Sequence, residues 1–184
     1  ATYGVPEEII VAIIGVETEY GRNMGSFRVL EALATLAFYY PRRADFFRTE
    51  LEQFLLLARE NDMDAVNVRG SFAGAIGIPQ FMPGSQRRYA VDFDGDRKVD
   101  LYGSVDDAIG SVARFLEQHG WQAGQAVAVP ARTRGEPERS LIEAGIPAPG
   151  HSDFAVCRVN PFTALGAMVT RRSPVAAALW LVNV

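Results

Sequence analysis

Ile9-Ile10-Val11-Ala12-Ile13-Ile14-Gly15-Val16-Glu17 is an apolar run closed by one carboxylate, after which the chain turns polar and glycine-rich through Thr18-Glu19-Tyr20-Gly21-Arg22-Asn23-Met24-Gly25. Pro6 suits the first helical position, where its missing N–H costs nothing, and Glu7 and Glu8 suit the positive end of a helix dipole. A helix is therefore expected to begin near Pro6 and to stop by Gly21. It is apolar on nearly every side, so a buried helix is expected. Glu17 then sits in the last turn, with its side chain leaning back towards Ile13 and Ile14. Apolar neighbours and the negative helix end both disfavour the ionised form, so a raised pKa is expected. A carboxyl that stays protonated near neutral pH can serve as a general acid. The competing reading is a side chain that emerges into water where the helix ends.

The rest of the composition bounds what such a group could serve. A chain of 184 residues is about one domain and long enough to bury a large core. Hydrophobic residues make up 48% and charged residues 22%, the balance of a globular protein rather than a disordered one. The formal charge of −4 supplies no general attraction for nucleic acid, so no nucleic-acid partner is expected. The single Cys157 cannot form an internal disulfide, and without a zinc pattern it reads as a buried structural thiol. No apolar stretch reaches the roughly 18 residues that span a bilayer, and no signal-type run follows a basic flank. The start at Ala1-Thr2-Tyr3-Gly4 is expected to be that of a fragment or processed form.

Downstream, Arg28 to Phe38 has helical periodicity, with Val29, Leu30, Leu33, Leu36 and Ala37 on one side, and Tyr39-Tyr40-Pro41 ends it. Arg42 to Asn61 follows as an amphipathic helix whose core face is Phe46, Phe47, Leu51, Phe54, Leu55 and Leu57. Gly70-Ser71-Phe72-Ala73-Gly74-Ala75-Ile76-Gly77-Ile78-Pro79-Gln80-Phe81-Met82-Pro83 is different in kind. Its glycines and prolines cannot make a long regular helix, yet it is too apolar for a solvated loop. Such backbone suits close approach, either to a ligand or to packed helices. Asp107 to His119 reads as a further helix ended by Gly120. Val127 to Val129 is a candidate strand, Pro130 to Gly150 a linker or irregular subdomain, and Ala176 to Val182 a final short helix or strand.

Asp92-Phe93-Asp94-Gly95-Asp96-Arg97-Lys98-Val99-Asp100 places acidic side chains at alternate positions, as the first part of an EF-hand loop does. Asp92, Asp94 and Asp96 can supply carboxylates, Lys98 a main-chain carbonyl and Asp100 a direct or water-mediated contact. Two positions depart from the standard loop. Arg97 stands where the turn glycine belongs, and Gly103 where the closing bidentate Glu belongs. Asp106 or Asp107 could close a lengthened loop. The alternative is an acidic turn with an Asp capping the next helix.

Together these stretches resemble one family, the MltB-type (SltB family) membrane-bound lytic transglycosylases, which cleave bacterial peptidoglycan. The resemblance lies in Gly15-Val16-Glu17-Thr18 with Tyr20-Gly21-Arg22, in Tyr40-Pro41-Arg42-Arg43, and in Gly70 to Ala75 running on to Gln80-Phe81-Met82-Pro83. Tyr89 to Phe93 with the aspartate loop, and Asp107 to Val112, complete it. The matches cover about residues 3 to 129 in order. They imply a mainly α (α+β) fold: a lysozyme-like catalytic core over 1–129, with a helical insertion at about 39–66 and an EF-hand-like calcium loop at 92–107. A small irregular or β C-terminal region would follow over 130–184.

By the same resemblance Glu17 matches the catalytic acid/base. Gln80, followed by Phe81 and Met82, matches the family's glycine-rich substrate-binding motif, and Ser71, Arg42 and Arg43 match residues lining the glycan groove. Tyr20 and Phe81 flank the site in sequence and are candidate stacking faces for sugar rings; Tyr39, Tyr89 and Trp121 are weaker ones. Calcium is implied as a structural ion, and no organic cofactor. Peptidoglycan strands are the implied partner, the bacterial periplasm the implied location, and a monomer the expected state. Attachment to the outer membrane through a preceding lipoprotein segment is a further implication. The family's Thr-Arg-Tyr-Asn-x-Ser type segment has as its nearest match Val169-Thr170-Arg171-Arg172-Ser173-Pro174, without the Tyr-Asn pair.

A single catalytic carboxylate fits this chemistry. Glycoside hydrolases generally use two, the second to activate water or attack the sugar. A lytic transglycosylase uses the substrate's own muramic acid 6-hydroxyl, which closes a 1,6-anhydro ring, so one residue can act as acid and then base. The other readings are a water-using muramidase and a calcium-stabilised peptidoglycan-binding module without turnover.

Overall fold

The structure is a computed structural model, and it describes residues 2–125. Val127 to Val129, the 130–184 region, Cys157, Thr170 to Pro174 and Ala176 to Val182 lie outside the described residues. Among the described residues the fold is mainly α, with helices α1 (Glu7–Thr18), α2 (Val29–Tyr39), α3 (Ala44–Glu60), α4 (Pro83–Tyr89) and α5 (Val105–Gln118). A two-stranded antiparallel ribbon joins β1 (Phe27–Arg28) to β2 (Arg69–Gly70), with Phe27 opposite Gly70 and Arg28 opposite Arg69. A 3-10 turn, Pro41–Arg43, links α2 to α3. No helix among the described residues is long and apolar enough to cross a membrane.

The first helix starts one residue later than its sequence suggests. Pro6 is the N-cap, in extended geometry, and Glu7 and Glu8 occupy the first turn. Its burial is one-sided: Ile9, Ile10, Ile13, Ile14 and Thr18 are buried, while Val11 is exposed. The stop also comes earlier than Gly21. Glu19 and Tyr20 both take positive φ (52° and 62°) ahead of Gly21 (84°), so three successive residues turn left-handed. Glu19 N–H donates to the Gly15 carbonyl and Tyr20 N–H to that of Ile14, which satisfies the helix end.

Helices α1 and α5 enclose one core with Ile78, Phe81 and Leu101. Helices α2 and α3 enclose another with Ala73, Ala75, Ile76 and Met82. On α3 the buried residues are Phe47, Glu50, Phe54, Leu57 and Ala58, and Leu55, expected on the core face, is exposed. The glycine-rich segment therefore lies at the seam and contributes side chains to both cores. This explains a composition too apolar for a loop and too broken for a helix. Its Ile76 and Phe81 form a reciprocal bridge, and Met82 and Pro83 then start α4, an element without a periodic sequence signal.

Close approach is also built into the ribbon. A Cβ on Gly25, whose φ is +88°, would lie 2.1 Å from the Gly70 carbonyl oxygen and 2.6 Å from the Ser71 nitrogen. Only glycine lets the chain after α1 lie against the start of the glycine-rich segment.

Candidate active site

Glu17 occupies the last turn of α1, partly buried, with no hydrogen bond or ion pair to its carboxylate among the described residues. Desolvation by burial raises its pKa to about 8, and no neighbouring charge contributes to the shift. The carboxyl is thus largely protonated at neutral pH. The next residue anchors it. The buried Thr18 hydroxyl donates to the Ile78 carbonyl oxygen at 2.8 Å and accepts from Gly21 N–H at 2.9 Å.

That bond begins a seam between the turn after α1 and the glycine-rich segment. Gln80, itself left-handed at φ 52°, donates from Nε2 to the Gly77 carbonyl at 2.8 Å and to the Met24 carbonyl at 3.2 Å. Both partners are carbonyls that can only accept, so the amide orientation is fixed and Oε1 is the end left to accept. Ser71 holds its own turn, its Oγ accepting from Ala75 N–H at 3.0 Å and Ala73 N–H at 3.3 Å. The hydroxyl proton is left over for another acceptor. These contacts tie the turn after Glu17 to Ile78 and Gln80, while Ser71, at the start of the same segment, lies against Gly25.

Other expected site residues separate into surface and core. Arg42 and Arg43 lie in the 3-10 turn, with the Arg43 guanidinium stacked 4.2 Å from the Phe46 ring centroid. Tyr20 is 63% exposed, and its ring folds back over Gly15, where a Cβ would come within 2.7 Å of it. Phe81 and Met82, expected in the substrate motif, are core residues instead, each 2% exposed. Phe81 packs against Phe115 with centroids 5.3 Å apart and Met82 belongs to the α2–α3 core, so neither presents a face to a sugar. Tyr89 likewise packs edge-on to Phe115 and His119. The aromatic that the segment does expose is Phe72, at 65%, beside Ser71. Nothing in a segment without a period marks which of its two phenylalanines faces out.

The aspartate loop forms a second polar centre. Ligand atoms of Asp92, Asp94 and Asp107 all lie within 4.8 Å of one another, a hard-oxygen donor set suited to a divalent cation such as calcium. Arg97, at the turn-glycine position of the loop, has φ 75° and so adopts the left-handed geometry that glycine ordinarily provides there. Asp107 is 1% exposed and accepts from Phe93 N–H at 2.7 Å and Asp100 N–H at 2.8 Å. Ser104, the α5 N-cap, accepts from Asp107 N–H and donates to Asp94 Oδ2 at 2.7 Å. The Ser104 hydroxyl and the Asp96 amide hold the Asp94 carboxyl below its usual range. Three expected carboxylate ligands fall outside the cluster. Asp96 accepts from Lys98 N–H, Asp100 accepts from the Tyr102 and Gly103 amides, and Asp106 is exposed at the start of α5. Ser104, rather than an Asp, supplies the helix cap.

A family model described as the transglycosylase SLT domain matches residues 1–174. The chain belongs to that family. Within it, the chain is 60% identical over 129 residues to membrane-bound lytic murein transglycosylase B of Escherichia coli (strain K12), a match covering 70% of the chain and 36% of that relative. The chain thus spans about a third of the curated relative's length. The Escherichia coli lytic transglycosylase Slt35 in complex with calcium aligns at a TM-score of 0.73 with 42% identity, over 99% of this chain and 69% of that one. Pseudomonas aeruginosa SltB3 in complex with NAG-NAM-pentapeptide aligns at 0.65 with 42% identity, over 76% of this chain and 37% of that one. The mainly helical, lysozyme-like fold expected from the sequence is the fold of these family members.

Proposed function

We propose that the chain is a peptidoglycan lytic transglycosylase in which Glu17 acts first as acid and then as base. The observation that carries this reading is the protonated, partly buried Glu17 at the end of α1, with a pKa raised to about 8 by desolvation alone. Glu17 donates its proton to the glycosidic oxygen as the bond from muramic acid C1 to that oxygen breaks, releasing the N-acetylglucosamine 4-hydroxyl. The resulting carboxylate removes the proton from the muramic acid 6-hydroxyl as O6 bonds to C1. The 1,6-anhydro ring closes, no water enters, and Glu17 is protonated again. The Gln80 Oε1 acceptor, in the segment tied to the turn after Glu17, and the Ser71 hydroxyl at the start of that segment would bind sugar hydroxyl or acetamido groups. Exposed Tyr20 and Phe72 would offer stacking faces, and Arg42 and Arg43 would line the groove.

Two relatives support the substrate class: the murein transglycosylase of Escherichia coli by its name, and SltB3 by its bound NAG-NAM-pentapeptide. Asp92, Asp94 and Asp107 would hold a structural calcium, a reading supported by their donor set and by the calcium complex of Slt35. A bound calcium would supply charge compensation and order to the loop rather than chemistry at the glycosidic bond. A periplasmic location follows from the substrate.

Mass spectrometry of digested sacculi tests the proposal. Muropeptides ending in 1,6-anhydro-muramic acid are expected, and Glu17→Gln should abolish them. Reducing-end muramic acid in their place would identify a muramidase. Binding to sacculi without any turnover would identify a glycan-binding module.

A further inference from the structure

We infer that Thr18 is a positioning residue for the reaction, tying the turn that carries Glu17 to the substrate segment and, through one residue of that segment, to the aspartate loop. This rests on the reading of Glu17 as acid and base.

The argument starts from the cost of the local backbone. Glu19 and Tyr20 are both left-handed without being glycine, a conformation that persists where surrounding contacts determine it. Thr18 sits immediately before them and is buried. Its hydroxyl makes a bond across the turn, accepting from Gly21 N–H at 2.9 Å, and one far along the chain, donating to the Ile78 carbonyl at 2.8 Å. The main chain of Thr18 adds a third tie, its carbonyl accepting from Asn23 N–H at 2.9 Å. The Glu17 carboxylate itself has no such partner among the described residues, so its place is set by the backbone that Thr18 holds.

Ile78 makes this more than a local cap. Its carbonyl receives Thr18 while its N–H donates to the Leu101 carbonyl at 2.8 Å. Leu101 follows Asp100, whose N–H donates to Asp107 Oδ2 at 2.8 Å, and Asp107 belongs to the three-carboxylate cluster. Tyr102 adds a parallel tie, its hydroxyl donating to the Arg69 carbonyl on β2. A continuous line of contacts therefore runs from the aspartate cluster through Leu101 and Ile78 to the residue beside Glu17. A side chain that only filled space would need no hydroxyl at this position.

Thr18→Val and Thr18→Ala remove the hydroxyl, and Thr18→Ser keeps it while removing the methyl group. Turnover of sacculi to anhydro-muropeptides should fall on the order of 10- to 100-fold in kcat for the Val and Ala variants, with KM unchanged. Thr18→Ser should retain the wild-type kcat. The carboxyl-carbon NMR signal of Glu17 in the same 13C-labelled proteins reads its setting independently of turnover. It should move in Val and Ala and stay in Ser. Loss of kcat that follows thermal stability across the variants rather than the hydroxyl overturns the inference, as does an unmoved Glu17 signal. A wild type that yields no anhydro product overturns the transglycosylase reading instead, and the NMR comparison still decides the role of Thr18.

Discussion

Glu50 Oε2 accepts a 2.8 Å hydrogen bond from Gly84 N–H, so a buried carboxylate on α3 caps the first turn of α4 directly after the glycine-rich segment. The approach is close enough that a Cβ on Gly84 would lie 2.8 Å from Glu50 Oε1. Glu50→Ala leaves that amide without its partner and should cost about 1–3 kcal/mol in urea denaturation. Glu50→Gln keeps an acceptor oxygen and relieves a carboxyl whose pKa burial pushes up, so it should cost less than the Ala variant. Equal losses would mean that volume, not the bond, matters at this position.

Glu17 should make the fold more stable in acid than at neutral pH. Its pKa rises from an ordinary 4.5 to about 8 on folding, so its contribution is fully present below 4.5 and is lost as pH climbs through 8. Between pH 4.5 and 7 the loss is about 3 kcal/mol. Glu17→Gln removes this dependence. The variant should therefore melt higher than wild type at pH 7, and the gap should close near pH 4. Parallel melting curves at all pH values would refute the raised pKa.

The same value predicts the pH–rate profile. A general acid must be protonated, so kcat/KM should decline above about pH 8, where the free enzyme's Glu17 ionises. A decline centred near pH 5 would identify a different acid.

Calcium should raise the melting temperature, since a ligand that binds only the folded state stabilises by about 2.7 kcal/mol at 100 times its Kd. Asp107→Asn should remove most of that gain and Asp106→Asn little of it, because Asp107 is in the carboxylate cluster and Asp106 is not. Differential scanning fluorimetry after chelation and re-addition separates the two.

Phe72→Ala should raise KM for glycan severalfold with the melting temperature unchanged, since the ring is 65% exposed. Phe81→Ala should instead destabilise by about 3–5 kcal/mol, the cost of emptying a core site.

What could be read from the sequence, and what could not, follows from the physics of each signal. Glu17 stands out in the sequence because one carboxylate closes an apolar run long enough for several helical turns, but its desolvation depends on packing that the run does not encode, since Val11 of the same run is exposed. The choice between Asp106 and Asp107 is not legible there, because it depends on where α5 begins, and Ser104 decides that by capping the helix. The sequence does not distinguish buried Phe81 from exposed Phe72, because the segment they share bends at its glycines and so carries no period. The ribbon of Phe27–Arg28 with Arg69–Gly70 is two residues deep, too short for alternation to register. Arg97 departs in sequence from the turn glycine of an EF-hand loop, yet its positive φ adopts the backbone that glycine ordinarily provides there, at a cost of roughly 1 kcal/mol.

Because the glycine-rich segment donates Ile78 and Phe81 to one core and Ala75, Ile76 and Met82 to the other, its fluctuations are not those of a lid. Opening it would expose both cores at once, which makes local opening nearly as costly as global unfolding. The amides of Ile76, Ile78 and Phe81 should consequently exchange with solvent only through global unfolding. Towards any bound ligand this stretch of backbone would then present a fixed wall rather than a movable flap.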